Sequence, residues 1–315
     1  ERPVLTDITV RLTMSSRVAV VGRNGAGKST MMSLIACELQ PCIVGEEGIC
    51  GELNKHRSLR LAYIAQQHMH HIGEYQKCTP LEYIQIRFRH GYDEEAQARL
   101  TLPQSPEEDQ KRKDLAKRYG KRGKEVETLL SRAKKGKDVL YEVKWKELDD
   151  PKQNTYEPLS KLRLLGIERM AAALDERLAC AAAGVALRPL STREIVKHLE
   201  PFGITEDMTT HRSISMLSAG QKSKLMLGCS FWTKPHIVCL DEPTNYLDVE
   251  TVEALARALR NFRGGCVVVT HNEKFIDEVC DEVWEVEDGK VSVRGKAGGQ
   301  NKVMKAVGGT KAAAT

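Results

Sequence analysis

Gly22-Arg23-Asn24-Gly25-Ala26-Gly27-Lys28-Ser29 follows the apolar run Val18-Ala19-Val20-Val21. It precedes Ser29 to Leu39, where Met31, Leu34, Ile35 and Leu39 recur at helical spacing until Pro41. The eight residues fit the pattern G-x-x-x-x-G-K-S/T and stand where that pattern has meaning, between a buried strand and a helix. Glycines let backbone N–H groups turn inward around a phosphate, and the helix start adds its positive dipole end. The reading assigns Gly22, Arg23, Asn24, Gly25, Ala26, Gly27, Lys28, Ser29 and Thr30 to a bound nucleotide, ATP. Lys28 is expected to reach its β- and γ-phosphates and Ser29 to hold Mg2+.

Further along, His236-Ile237-Val238-Cys239-Leu240 is another short apolar run and ends in Asp241 and Glu242. A carboxylate pair after a strand is weak on its own. Paired with a phosphate loop it points to a metal contact at Asp241 and a water-activating base at Glu242. Leu61 to Ile64 and Cys266 to Val269 also read as strands, Thr6 to Leu12 as a half-exposed one, and Val252 to Phe262 as a helix. Strand and helix alternate at both ends of the chain, so the expected class is α/β with a mostly parallel sheet.

The middle departs from this rhythm. Pro103 to Ser131 is highly charged and reads as helical after Pro106, Val139 to Trp145 as a strand, and Ile167 to Leu187 as an alanine-rich helix. The expected organisation is a nucleotide-binding core over 1–105 and 188–293, an insertion over 106–187, and a basic tail over 294–315. At 315 residues the chain has room for about two domains at ~150 residues each. Hydrophobic content of 41% and charged content of 29% are those of a globular chain. No apolar run approaches the ~18–20 residues of a bilayer span, which excludes an integral helical membrane protein. The chain opens on Glu1 within a strand-like stretch and reads as a piece of something longer.

Nine cysteines show no C-x-x-C pairing and several lie in strand patterns, so reduced, buried thiols of a cytoplasmic protein are expected. His68, His70 and His71 cluster without a carboxylate or cysteine at ligand spacing and read as loop histidines. The net charge of +5 is uneven: residues 111–137 hold twelve Lys/Arg against three Asp/Glu, and 294–315 hold five Lys/Arg and no acid. Two basic segments favour a polyanionic partner such as RNA.

Leu217-Ser218-Ala219-Gly220-Gln221 resembles the signature LSGGQ of the ABC ATPases, with alanine in place of one glycine. Asn245-Tyr246-Leu247-Asp248 resembles their D-loop, Thr270-His271 their switch histidine, and Gln66 (with Gln67 as its rival) their Q-loop glutamine. The resemblance implies an ABC-type P-loop ATPase in which Glu242, His271 and Gln66 serve catalysis. Ser29, Gln66 and Asp241 would surround Mg2+. It also implies that Ser218, Ala219, Gly220, Gln221 and Asp248 bind nucleotide, Ser218 and Gly220 contacting one held by a second ABC domain, from a dimer mate or from upstream chain. The family's adenine-stacking aromatic has no counterpart, since no aromatic residue precedes Gly22.

Within the insertion, Val139-Leu140-Tyr141-Glu142-Val143-Lys144-Trp145-Lys146 and Asn154-Thr155-Tyr156-Glu157-Pro158 resemble a chromodomain, a small β-sheet with helices. An ABC domain with such an insert resembles the second ABC domain of the fungal-type translation elongation factor 3 family. That implies a ribosome-bound ATPase that promotes release of exit-site tRNA, with rRNA, ribosomal proteins and the tRNA-delivering elongation factor as partners and no membrane. The competing readings are a membrane transporter's nucleotide-binding subunit and a chromatin-associated ATPase. A methylated histone is not the expected ligand of the insert. Of the three aromatic walls of a methyl-lysine cage only Trp145 is present, with Lys124-Glu125 and Leu148 at the other two positions.

Overall fold

Short runs of Val, Ile, Leu and Cys without polar alternation make strands that are covered on both faces, and such strands pair in parallel. A computed structural model describes residues 4–39, 41, 51–65, 72–103, 106–136, 138–148, 150–185, 188–245, 247–295 and 303–304. They fall into two compact units, one built from 1–36, 61–83 and 192–315, the other from 37–60 and 84–191.

In chain order the strands are β1 (Arg17–Gly22), β2 (Leu61–Ile64), β3 (Val126–Lys135), β4 (Asp138–Trp145), β5 (Thr155–Pro158), β6 (Ile237–Asp241), β7 (Gly265–Val269), β8 (Glu282–Glu287), β9 (Lys290–Gly295) and β10 (Val303–Met304). The α-helices are α1 (Lys28–Ile35), α2 (Pro80–Arg87), α3 (Glu94–Thr101), α4 (Pro106–Tyr119), α5 (Leu159–Leu164), α6 (Glu168–Ala182), α7 (Thr192–Leu199), α8 (Glu206–Thr210), α9 (Ala219–Phe231), α10 (Val249–Asn261) and α11 (Glu273–Val279). None is long and apolar enough to cross a membrane, among the described residues.

The first unit is α/β, with helices packed on a mostly parallel sheet. Its sheet runs β10-β9-β8-β1-β7-β6-β2 among the described residues. Strands β8, β1, β7, β6 and β2 are parallel, and β9 and β10 return antiparallel at one edge. Strands β6 and β7 are buried along their whole length. Leu255, Ala256 and Leu259 of α10, with Phe275 and Val279 of α11, close one core cluster against Ala19, Val238, Leu240 and Val268. The stretch Thr6 to Leu12 does not become a strand. Its exposure alternates as expected, but Asp7 takes a left-handed φ of 52° and Thr6 donates its N–H to Gly289 across a loop. Helix α1 stops at Ile35, well before Pro41, because the backbone turns left-handed at Cys37 (φ 62°).

The second unit carries a three-stranded antiparallel sheet, β3-β4-β5. Val139, Tyr141, Val143 and Trp145 of β4 alternate inward and pack on Leu162, Met170, Ala171 and Leu174 of α5 and α6. Residues 126–131, expected to continue a charged helix, form β3 instead, because pairing with β4 buries Leu129. Tyr141 donates its hydroxyl proton to Asp175 (3.0 Å), which also accepts from Arg132 (2.6 Å), and burial with that carboxylate pushes the phenol up to about 12.

Asp93 caps α3 by accepting from Ala96 N and is held by Arg87, whose side chain is 3% exposed. Burial alone would raise the Asp93 carboxyl, but the Arg87 charge and hydrogen bonds outweigh it and hold the group below the usual range. A depressed folded value stabilises above the unfolded value of about 3.9 and is lost as pH falls through the folded one. Asp93→Asn should therefore unfold at lower urea than the parent at pH 7, with the gap closing below about pH 3.9. A gap that stays constant from pH 7 into that acid window would contradict the assignment.

Candidate active site

The loop between β1 and α1 wraps its own lysine. Lys28 is buried and donates from Nζ to the carbonyls of Gly22 (2.8 Å) and Arg23 (3.0 Å). Gly25 and Gly27 adopt φ of 81° and 105°, a region that favours glycine. At Gly22 the demand is harder. Its φ is 151°, and a Cβ there would lie 2.3 Å from the carbonyl oxygen of Val286 in β8. Helix α1 begins at Gly27 with no side-chain cap and no acid in its first turn, which leaves its first N–H groups and positive end to an anion.

Two carboxylates meet this loop at the end of β6. The Ser29 hydroxyl is close enough to Asp241 to act on its carboxylate. Burial pushes the Asp241 carboxyl up, against the pull of Ser29 and Lys28. Burial also raises Glu242, with Asp241 adding to it and His271 and Lys28 opposing. Glu242 holds a left-handed φ of 52°, a strained choice for a residue with a Cβ, costing on the order of 1–3 kcal/mol. Its N–H is fixed on the Val269 carbonyl (2.9 Å), and its carboxylate lies 3.4 Å from Nε2 of the exposed His271.

Among the described residues no three His, Cys, Asp or Glu are grouped to hold a metal. The oxygen donors Ser29 and Asp241 nevertheless suit Mg2+, which needs few protein ligands and takes the rest from phosphate and water. Gln66, Gln67, His68, His70 and His71 lie outside the described residues.

The signature residues are placed differently. Ser218 caps α9: its Oγ accepts from Gln221 N (3.2 Å), and Gln221 Oε1 accepts from Ser218 N (2.9 Å). Gln221 is thereby committed to the cap, while the Ser218 hydroxyl keeps its own proton to donate. Ala219 is exposed and Gly220 half-buried. Asp248 caps α10 by accepting from Thr251 N (2.8 Å), and the Thr251 side chain, with that backbone bond, holds its carboxyl below the usual range. The hydrogen bonds of Ser218 and Asp248 are these caps, whereas Lys28, Ser29, Asp241, Glu242 and His271 form one connected group.

The sequence reading missed a hydroxyl pair behind the carboxylates, Thr244 Oγ1 to Thr270 Oγ1 at 3.2 Å. Its only signal was the presence of threonine beside each motif, 26 residues apart.

A comparison with family models matches residues 5–245 to the family described as ABC transporter. The chain belongs to the ABC family. Among curated relatives of this ABC domain, Elongation factor 3 of Phytophthora infestans is 38% identical, covering 94% of this chain and 28% of the relative. The mRNA export factor elf1 of Schizosaccharomyces pombe is 37% identical (93% and 27%), and Elongation factor 3 of Gonapodya prolifera 36% identical (94% and 26%). The ABC domain thus spans about a quarter of the length of these relatives. An ATP-binding cassette solved as a dimer with ADP and phosphate is 16% identical, covering 96% of this chain and 91% of that one, with a TM-score of 0.47.

The Gly22 contact gives a direct test of the loop. Gly22→Ala should displace either the loop or the β1–β8 pairing, lowering the melting temperature by several degrees and weakening ATP binding at least tenfold. Gly25→Ala strains only its own φ, since nothing lies within 4 Å of its Cβ, and should retain more of both. Equal losses in thermal melts and nucleotide titrations of the two variants would remove the role given to Val286.

Proposed function

We propose that this ABC domain hydrolyses ATP, with Glu242 as the base that takes a proton from the attacking water. The observation that carries the reading is the carboxylate pair Asp241–Glu242, tied to the phosphate loop through Ser29 and Lys28. Lys28 exchanges its loop carbonyls for the β- and γ-phosphates, and the first turn of α1 through Thr30 adds backbone donors. Ser29 and Asp241, with Gln66, would hold Mg2+, which would supply charge neutralisation on the phosphates. His271, 3.4 Å from the Glu242 carboxylate, would donate to the γ-phosphate. The raised Glu242 carboxyl is a stronger base than an ordinary glutamate.

Ser218, Ala219, Gly220, Gln221 and Asp248 serve a nucleotide on a second ABC domain, so one copy of each motif makes two half-sites. The free proton of Ser218 and the start of α9 are the groups suited to a phosphate arriving from outside.

For the whole protein we propose a cytoplasmic, ribosome-associated factor of the elongation factor 3 type that couples ATP hydrolysis to release of exit-site tRNA. Similarity to the two proteins named Elongation factor 3 supports it. So does the exposed basic character of the region 106–187, where Lys111, Arg118, Arg122, Lys134 and Lys135 face solvent. RNA and a tRNA-delivering elongation factor are the proposed partners. The transporter reading rests on the description of the matched family alone, and the chromatin reading meets an obstacle in the insert. Trp145 is fully buried with its Nε1 on Thr155 Oγ1 (3.0 Å), so it offers no ring face to a methylated lysine.

Glu242→Gln in the full-length protein should keep nucleotide binding and lose steady-state hydrolysis by at least ~10²-fold, the low end of a general base's contribution. Near-parental turnover would end the assignment. Polysome sedimentation tests the wider reading: the full-length protein should travel with ribosomes and be released by RNase, and recovery with membranes or nucleosomes instead would favour a competing class.

A further inference from the structure

Behind Glu242 and His271 the two loops that carry them are tied together by groups with no part in the proposed chemistry. The 242–245 turn starts at the end of β6, and Thr270 follows β7 directly. The N–H of Glu242 donates to the Val269 carbonyl (2.9 Å), one residue before Thr270. The Glu242 carbonyl accepts from Asn245 N (3.2 Å), which closes the turn. Thr244, inside that turn, reaches back with its hydroxyl to the hydroxyl of Thr270 at 3.2 Å. Thr270 is 2% exposed, and its Oγ1 also accepts from the Asn272 N–H (3.2 Å), while Asn272 caps α11.

These bonds join the two loops through side chains as well as backbone. A hydroxyl has one proton to give and two lone pairs to receive. Thr270 Oγ1 spends one lone pair on Asn272 N–H, and its second lone pair and its proton both remain for Thr244, so either hydroxyl can be the donor of the pair. Asn272 N–H, Thr270 and Thr244 thus form one chain of hydrogen bonds from the start of α11 to the turn of the base. His271 lies between the first two members, and Glu242 lies two residues before the last.

We propose that Thr244 and Thr270 are positioning residues that set the separation of Glu242 and His271. This rests on the reading of Glu242 as the base. Glu242 needs the restraint because its φ of 52° is not one it adopts unaided. Without the hydroxyl pair, the turn keeps only its backbone bonds, and the carboxylate moves relative to a water that the phosphate loop still holds in place. Misplacement by about 1 Å can cost a factor of ~10² in rate. Ground-state binding through Lys28, Ser29 and α1 does not pass through Thr244.

The test compares Thr244→Val, Thr244→Ser and Glu242→Gln in the full-length protein, measuring kcat, KM, nucleotide affinity and melting temperature. Valine keeps the shape and removes the hydroxyl. Thr244→Val should lower kcat about tenfold or more, within the limit set by misplacement. Nucleotide affinity should stay within about twofold, because the lost contact acts through the base. Thr244→Ser should restore most of the rate. Added to Glu242→Gln, the valine should cause no further loss, since both act on one step. If Glu242→Gln is inactive and Thr244→Val turns over at the parental rate, the positioning role is wrong and the base assignment stands. If rate, affinity and melting temperature fall together and serine rescues none of them, the pair is only structural and the proposal fails. If Glu242→Gln turns over normally, the base reading itself has failed, whatever valine does.

Discussion

Strand β1 is hydrogen-bonded in parallel on both sides, and this double pairing fixes where every reactive group can stand. Val20 lies opposite Val269 on one side and Trp284 on the other, and Asp241 lies opposite Val269 on the next strand but one. Three parallel strands in register must deliver their following loops to one edge of the sheet. The phosphate loop leaves β1 there, Asp241 and Glu242 leave β6, and Thr270 and His271 leave β7. A slip of one residue in β6 would turn Asp241 to the opposite face of the sheet. Strands β6 and β7 are buried along their whole length, so such a slip would carry Asp241 into a face packed with apolar side chains. The register thus decides which side chains meet at that edge of the sheet.

At that edge the chain assembles charges that do not fully satisfy one another. Both carboxylates are raised by burial, and the nearest cation, Lys28, is occupied by its own loop. Lys28 keeps hydrogen-bond partners through carbonyls that a phosphate can replace without rebuilding the loop. Asp241 keeps the Ser29 hydroxyl, so the two oxygen donors suited to a divalent cation are already adjacent. Preorganisation of this kind lowers the cost of binding, because the groups need little rearrangement when ligand arrives.

How much of this was legible depended on whether the information was local. The phosphate loop was readable because strand, glycine turn and helix occur within about twenty residues, and the strands at 61–64, 237–241 and 265–269 were readable as apolar runs. Thr6 to Leu12 had the alternation of a strand but no partner to pair with, and alternation alone does not supply one. Residues 126–131 carry a charged pattern that suits a helix, yet β4 offered Leu129 a buried place beside Val143 and the tertiary pairing won. Residues 37–60 join the unit that contains 84–191, a grouping that rests on contacts such as Arg99 with Glu38 (2.8 Å), which no local pattern announces. In the site, Glu242 and His271 could be named from motifs. The strained backbone of one, and the threonines that tie its loop to the other, are properties of the folded chain.

The alanine within the signature shows local and functional demands acting on one position. Ala219 is the first residue of α9, and glycine there would leave more unfolded-chain freedom to be lost on folding, by about 0.4–1 kcal/mol. The methyl group faces solvent, so the helix gains without disturbing any packing. The same exposure puts the methyl on the surface proposed to meet the other domain's nucleotide. The capping box keeps that surface ordered regardless, since Ser218 and Gln221 satisfy each other's backbone N–H groups. A sequence that puts alanine between the two therefore trades a small amount of room at the proposed phosphate contact for a firmer helix start. The gain is retained whether or not a partner is present.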